Sequence, residues 1–288
     1  MHKRVYTAIV FTVVLIAAVL LQGWAERIVL LACMLTGVWE MCGAMQAKGL
    51  KPNRPVACAY CCLTVVMQGL SASGVHPFDR MDAPLTAMVF GVMLGFSVVV
   101  FSGKPDFERA LATCFPMLYP GLPFGLMITL MDRSCAFVSA LAMALALFTA
   151  SINDVFALFG GSAFGRHKLS PLISPKKTVE GAVSGLLASV AFAALLPACF
   201  MFAARRFPAL DPTGAAAALP PIWAFALLGL CAGALSQIGD LAASIVKRWC
   251  GLKDFGRVFP GHGGMMDRFD GILFCAFACY IFFEAMGL

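Results

Sequence analysis

The stretch 84–101, PLTAMVFGVMLGFSVVVF, holds no charged residue. A run of that length and apolarity can cross the hydrocarbon of a bilayer as one helix. Eight further stretches have the same character: 5–22, 28–46, 55–73, 109–131, 135–153, 179–203, 221–246 and 268–287. The first is too long for a cleavable signal, and no A-x-A-like site follows it cleanly. Tyr119–Gly125, YPGLPFG, interrupts the run 109–131. A kinked or broken helix is expected there, which membrane proteins tolerate when neighbours satisfy the freed backbone groups.

Composition agrees with this reading. Of the 288 residues, 61% are hydrophobic and 12% charged, against about 45–50% and 25% in soluble domains. The length alone would allow two soluble domains, and the composition excludes them. The expected fold is all-α: a polytopic integral membrane protein with about nine transmembrane helices and a cytoplasmic N-terminus. That orientation puts sixteen Lys and Arg on the cytoplasmic side and five outside, the asymmetry that sets topology. Residues 1–150 then form a scaffold of six spans and the expected dimer interface. Residues 151–288 form a catalytic region whose loops 154–178 and 247–267 face the cytoplasm. The net charge of +6 suits anionic lipid and phosphate partners, and no nucleic-acid-binding module is visible. Twelve cysteines lie mostly inside spans. Cys58-x-x-Cys61-Cys62 has zinc-like spacing, but no second Cys/His pair completes a site, so these read as small apolar residues.

Charge is concentrated at two places. Asp240, Ser244, Lys247 and Arg248 follow helical spacing and share one helix face. Asp240 lies about 10 Å deeper than Lys247 at 1.5 Å per residue, and an ionisable residue at that depth is a functional candidate. After PGHGG, 260–264, the last span opens with Asp267, Arg268 and Asp270. Asp267 and Asp270 are one turn apart and reach the same side. The helix macrodipole explains one acid there, but not the glycine run, His262 and Asp240 together. Three acids from two helices suit a hard cation such as Mg²⁺, which also binds substrate phosphates. Zinc at His262 is disfavoured by its oxygen-bearing neighbours.

The second place is 165–181, GRHKLSPLISPKKTVEG. Asn153 and Asp154 end the preceding helix in this reading. Pro175 prevents helix before it. Ser174 or Thr178 caps the next helix, and Lys176 and Lys177 sit near its N-terminus, a ready anion site. A plain topology anchor would account for basic residues alone. The arrangement Ser174-Pro-Lys176-Lys177-Thr178-x-Glu180-Gly favours phosphate binding, and it is not a Walker loop. Glu40, inside the second span, lines a cavity or pairs with a basic residue. His2, His76, His167 and Glu284 carry no assignment.

The run Ser244-Ile-Val-Lys247-Arg248-x4-Lys253-Asp-Phe-Gly-x-x-Phe-Pro-x-His262-Gly263-Gly264-Met-x-Asp267-Arg268-Phe-Asp270 resembles the complete signature of the phosphatidate cytidylyltransferases, the CDP-diacylglycerol synthases. Residues 168–181 resemble that family's second motif. The similarity covers the chain from Asp154 onward, while the first half matches only as a set of spans. Val155–Leu158 departs from a Gly-Ala-Tyr-like run common in the family. The resemblance implies transfer of the cytidylyl group of CTP to phosphatidic acid, with Mg²⁺, a second cation (K⁺) beside it, and a homodimer in the inner membrane with its site on the cytoplasmic face. It implies a metal centre of Asp240, Asp267 and Asp270, supported by Asp154. Lys176, Lys177, Lys247, Arg248 and Lys253 would hold phosphates. Gly263 and Gly264 would let backbone N–H groups approach phosphate oxygens. His262, Ser244 and Arg268 would serve binding. A CTP-dependent polyprenol or phytol kinase is the nearest alternative. A cation-coupled transporter is the alternative from another class, and the inverted repeats that would favour it are not visible.

Overall fold

The computed structural model describes residues 23–78, 81–133, 135–259 and 263–288, with Ile16 besides. The expected span 5–22 and His262 lie outside the described residues. Eight helices among the described residues are long and apolar enough to cross a membrane. In chain order they are α1 (Trp24–Ala47), α2 (Arg54–Ala72), α3 (Ala83–Phe101), the broken pair α4 (Phe107–Pro116) and α5 (Leu122–Met131), α6 (Ala136–Phe164), α7 (Val179–Arg206), α8 (Ile222–Trp249) and α9 (Met266–Met286). The only sheet among the described residues is a hairpin, β1 (Lys168–Ser170) and β2 (Ser174–Thr178).

Local chemistry sets many of the helix starts. Asn53, Asp82 and Asp106 precede α2, α3 and α4, and each side chain accepts a backbone N–H three residues on. That satisfies donors a helix start leaves unpaired. Pro55 and Pro84 stand in the first turns, where a missing N–H costs nothing. The break expected at YPGLPFG is present: a π-helical turn, Met117–Gly121, joins α4 to α5, and Tyr119 there has non-helical φ −138° and ψ 106°.

One boundary differs. Asn153 and Asp154 do not end a helix; α6 runs on to Phe164. Asn153 is fully buried and its amide is satisfied inside the bundle. Its Nδ2 donates to the Gly233 carbonyl at 2.9 Å, and its Oδ1 accepts from Gln237 Nε2 at 3.0 Å. A polar residue so partnered has no reason to stop the helix. The connection expected at 154–178 is therefore 165–178.

The chain clusters into two compact units, Met1–Thr129 with Val246–Phe269, and Leu130–Ile245 with Asp270–Leu288. The connection after α8 groups with the first helices. In the first unit Met34, Val38, Met41, Tyr60, Phe124 and Met127 are buried. The Phe124 and Phe269 ring centroids lie 4.9 Å apart. In the second unit α6, α7, α8 and the rest of α9 pack through small residues. A Cβ on Gly185 would meet Asn153, and one on Gly229 would meet the Ser189 carbonyl. All twelve cysteines are free, as expected for small apolar residues.

Candidate active site

In the first unit the polar centre is Asp267. Its Oδ1 receives Lys247 Nζ at 2.8 Å, while its Oδ2 accepts the N–H groups of Phe255 at 2.8 Å and Gly264 at 2.9 Å. The pair is well shielded, with side-chain exposure of 12% for Lys247 and 6% for Asp267. Lys247 also lies 5.3 Å from the centroid of the Phe255 ring, close enough for a cation–π contribution. The backbone folds tightly around this carboxylate. Gly263 has φ +84° and a Cβ there would meet Asp267 Oδ2 at 2.7 Å, so glycine is required on two counts. Phe259 N–H bonds the Gly263 carbonyl at 2.9 Å, closing the turn. Arg248 is exposed, with a long contact from Nη1 to the Leu252 carbonyl. Lys253 is exposed and Arg268 half-buried.

Glu40 belongs to this same unit and is held by backbone amides. It is buried, and it accepts the N–H groups of Met265 at 3.0 Å and Met266 at 2.8 Å.

In the second unit Lys177 Nζ lies 2.5 Å from Asp240 Oδ2, both side chains about a quarter exposed. Lys176, the preceding residue, is exposed. The strand alternation of β2 explains the difference, since successive side chains leave opposite faces. The two lysines lie at the end of a strand, just before the N-terminus of α7, as expected. Thr178 is the N-cap of α7, accepting the Gly181 N–H at 3.2 Å. Ser174 lies instead at the start of β2, across from Ser170. Glu180 closes the base of the hairpin: it accepts the N–H groups of Arg166 and His167 and meets His167 Nδ1 at 2.6 Å. Ser244 is buried.

The aspartates do not all share one environment. Asp270 accepts its neighbour's N–H, that of Gly271, on Oδ1 at 2.8 Å. Its carbonyl lies where α8 and α9 cross so closely that a Cβ on Gly239 would come within 2.5 Å of it. Asp240 follows Gly239, so α8 and α9 bring Asp240 and Asp270 to one crossing. Ser236 stands one turn before Asp240, fully buried, with its Oγ lacking a hydrogen-bond partner and facing Gly271. Asp154 lies in mid-helix and exposed. Among the described residues no group of three His, Cys, Asp or Glu side chains is gathered for a metal ion. Asp240, Asp270 and the orphaned Ser236 hydroxyl are oxygen donors of the kind that could hold Mg²⁺. Mg²⁺ characteristically takes one or two carboxylates and fills its remaining positions with water and substrate phosphate. Asp267, in the first unit, accepts Lys247 and two amides.

Gln237, which ties Asn153 and the Ala182 carbonyl together, was not singled out by the sequence. Its only signal was an amide one turn from Asp240 in an apolar helix.

The family described as Cytidylyltransferase family matches residues 2–286 of the chain. The phosphatidate cytidylyltransferase of Brucella abortus biovar 1 (strain 9-941) is 42% identical over 130 residues, 45% of this chain and 42% of its own length. Phosphatidate cytidylyltransferase 4, chloroplastic, of Arabidopsis thaliana is 28% identical over 312 residues, 99% of this chain and 73% of its own. The phosphatidate cytidylyltransferase of Staphylococcus saprophyticus is 31% identical over 190 residues, 66% of this chain and 64% of its own. The matched region thus spans less than half the length of the Brucella relative.

Proposed function

We propose that this chain, which belongs to the cytidylyltransferase family, transfers the cytidylyl group of CTP to phosphatidic acid, giving CDP-diacylglycerol and pyrophosphate. The substrates follow from the relatives, each a phosphatidate cytidylyltransferase. The observation that carries the reading is the pairing of Lys177 with Asp240 and of Lys247 with Asp267. Both lysines belong to the two motifs, and both are held in place by an acid.

A phosphatidate oxygen, already anionic, attacks the α-phosphorus of CTP. The bond from that phosphorus to the bridging oxygen breaks, and pyrophosphate leaves with the electron pair. No general base is needed. Such chemistry rests on positioning and charge neutralisation. Lys247, oriented by Asp267 and shielded by Phe255, presents a fixed cation to a phosphate. Lys177, oriented by Asp240, presents a second. Arg248, Lys253 and Lys176 are exposed and add to the field that draws the nucleotide in. Asp240 and Asp270 would hold Mg²⁺, which when bound supplies charge neutralisation at phosphate oxygens. No step is assigned to K⁺. The same reading puts the helices in the inner membrane as a homodimer, with the hairpin and the connection after α8 on the cytoplasmic side. The distribution of Lys and Arg supports that orientation.

The test uses purified protein, phosphatidic acid, Mg²⁺ and CTP labelled in either the α- or the γ-phosphate. The expected result is α-label in the organic phase and γ-label in pyrophosphate. γ-Label on the lipid would identify a kinase and sink the proposal.

A further inference from the structure

Glu40 stands inside a membrane-crossing helix, where a carboxylate is costly unless its oxygens find donors. Both oxygens do. Oε1 accepts the Met265 N–H and Oε2 the Met266 N–H, at 3.0 and 2.8 Å. These amides open α9, where a helix leaves N–H groups unpaired and its dipole favours a negative charge. The approach is intimate. A Cβ on Gly264 would fall on both carboxylate oxygens, and one on Gly256 would fall on the carboxyl group. Two glycines of the connection thus exist in contact with this one side chain.

The amide just before this pair, that of Gly264, goes to Asp267. Three consecutive N–H groups, 264 to 266, are therefore shared between two carboxylates, one from α1 and one from α9 itself. Asp267 in turn holds Lys247. A shift of Glu40 moves the first amides of α9, then Asp267, then the Lys247 ammonium.

We infer that Glu40 is a positioning residue: it sets the place of the Lys247–Asp267 pair by gripping the backbone that carries it. It does so without touching substrate. The inference rests on the proposed role of that pair in handling phosphate, so its test needs a readout apart from turnover. The rate at which Lys247 is acylated by an amine-reactive reagent, mapped by mass spectrometry with exposed Lys176 as internal reference, supplies one.

Three full-length variants reach the same contact from different sides: Glu40→Gln, Gly264→Ala and Gly256→Ala. In variants that keep native helix content and elution, Lys247 acylation is expected to rise about tenfold as the pair opens locally. Lys176 acylation should not change. The kcat is expected to fall about 100-fold, the scale set by misplacing a reacting group by an ångström, with the KM for phosphatidic acid within about twofold of wild type because lipid contacts remain. Glu40→Ala combined with Gly264→Ala should cost no more than either alone, since both remove one contact. Unchanged Lys247 acylation in the folded variants would overturn the inference whatever turnover does. Faster acylation with full turnover would also overturn it, by showing that the pair does not serve the reaction.

Discussion

At the connection between α8 and α9, acids from α1 and α9 turn onto the backbone and bind it; in the hairpin between α6 and α7 the strands bind each other and most side chains are left over. In the first connection Glu40 and Asp267 together accept four amide N–H groups. Glycine at 256, 263 and 264 leaves no room for anything larger. In the second, β1 and β2 pair with Lys168 opposite Thr178 and Ser170 opposite Ser174, so the ladder satisfies the amides. Lys176 is then exposed, and of the two neighbouring lysines Lys177 finds a carboxylate. A glycine-rich connection needs buried acids to give it one conformation. A hairpin does not, and can spend its charges outward. The first should be intolerant of change at its acids, and the second tolerant at most of its positions.

The sharpest break would come at Asp267. Asp267→Asn replaces an oxygen by an NH₂ that must face either Lys247 or two N–H donors. Transfer of α-label from CTP to lipid is expected to fall about 1,000-fold, the upper range for losing a fixed electrostatic element, while helix content is kept. Near-normal turnover would erase the contrast. Asp240→Asn frees Lys177 in the second unit and removes one proposed Mg²⁺ ligand. A loss of about 100-fold is expected, with a raised Mg²⁺ requirement in the same assay. Within the hairpin the contrast can be narrowed to neighbours. Lys177→Met should raise the KM for CTP about tenfold, the value of one charged hydrogen bond, whereas Lys176→Met should change it by no more than about twofold, as for a solvated surface charge. Equal effects would mean that the Asp240 contact does not single out Lys177.

A third connection, 207–221, offers the smallest effect and a control. Asp211 there accepts the N–H of Ala216 at 2.8 Å, that of Ala215 at 2.9 Å and the Thr213 hydroxyl at 3.1 Å. The Ala216 amide above all, with Ala215, Thr213 and Gly214, holds its carboxyl below the ordinary carboxylate range against desolvation. Because the folded pKa is depressed, the contribution to order is complete above the unfolded value of about 4 and is lost as pH falls through the folded value. Limited proteolysis within 207–221 should speed up on that acid side. Asp211→Asn should make it fast at neutral pH and leave turnover unchanged.

Much of the fold was legible because a span announces itself locally. Eight of the nine runs correspond to described helices, and the proline–glycine break in the fourth of these is where YPGLPFG placed it. The end of α6 was misread because Asn153 and Asp154 look like a terminus when their partners are unseen. The acceptor of the Asn153 amide is the Gly233 carbonyl, 80 positions away. The same limit applies to the site. Helical spacing put Asp240 and Lys247 on one face, but not Lys177 against Asp240 or Lys247 against Asp267. Glu40 meets α9 across 225 positions, and no local pattern marks that contact. A buried acid among apolar residues signalled that some partner existed, but nothing local tied it to the glycines at 256 and 264. Only the folded chain joins the two.

The lysine pairs carry a consequence for selectivity. At rest each ammonium is already neutralised by an aspartate 2.5 or 2.8 Å away. A monovalent anion arriving at either one must compete with a tethered carboxylate and gains little by doing so. A triphosphate brings several charges at once and can share the cation without evicting its partner. Chloride and the headgroups of singly charged anionic lipids should therefore be poor inhibitors of the proposed transfer.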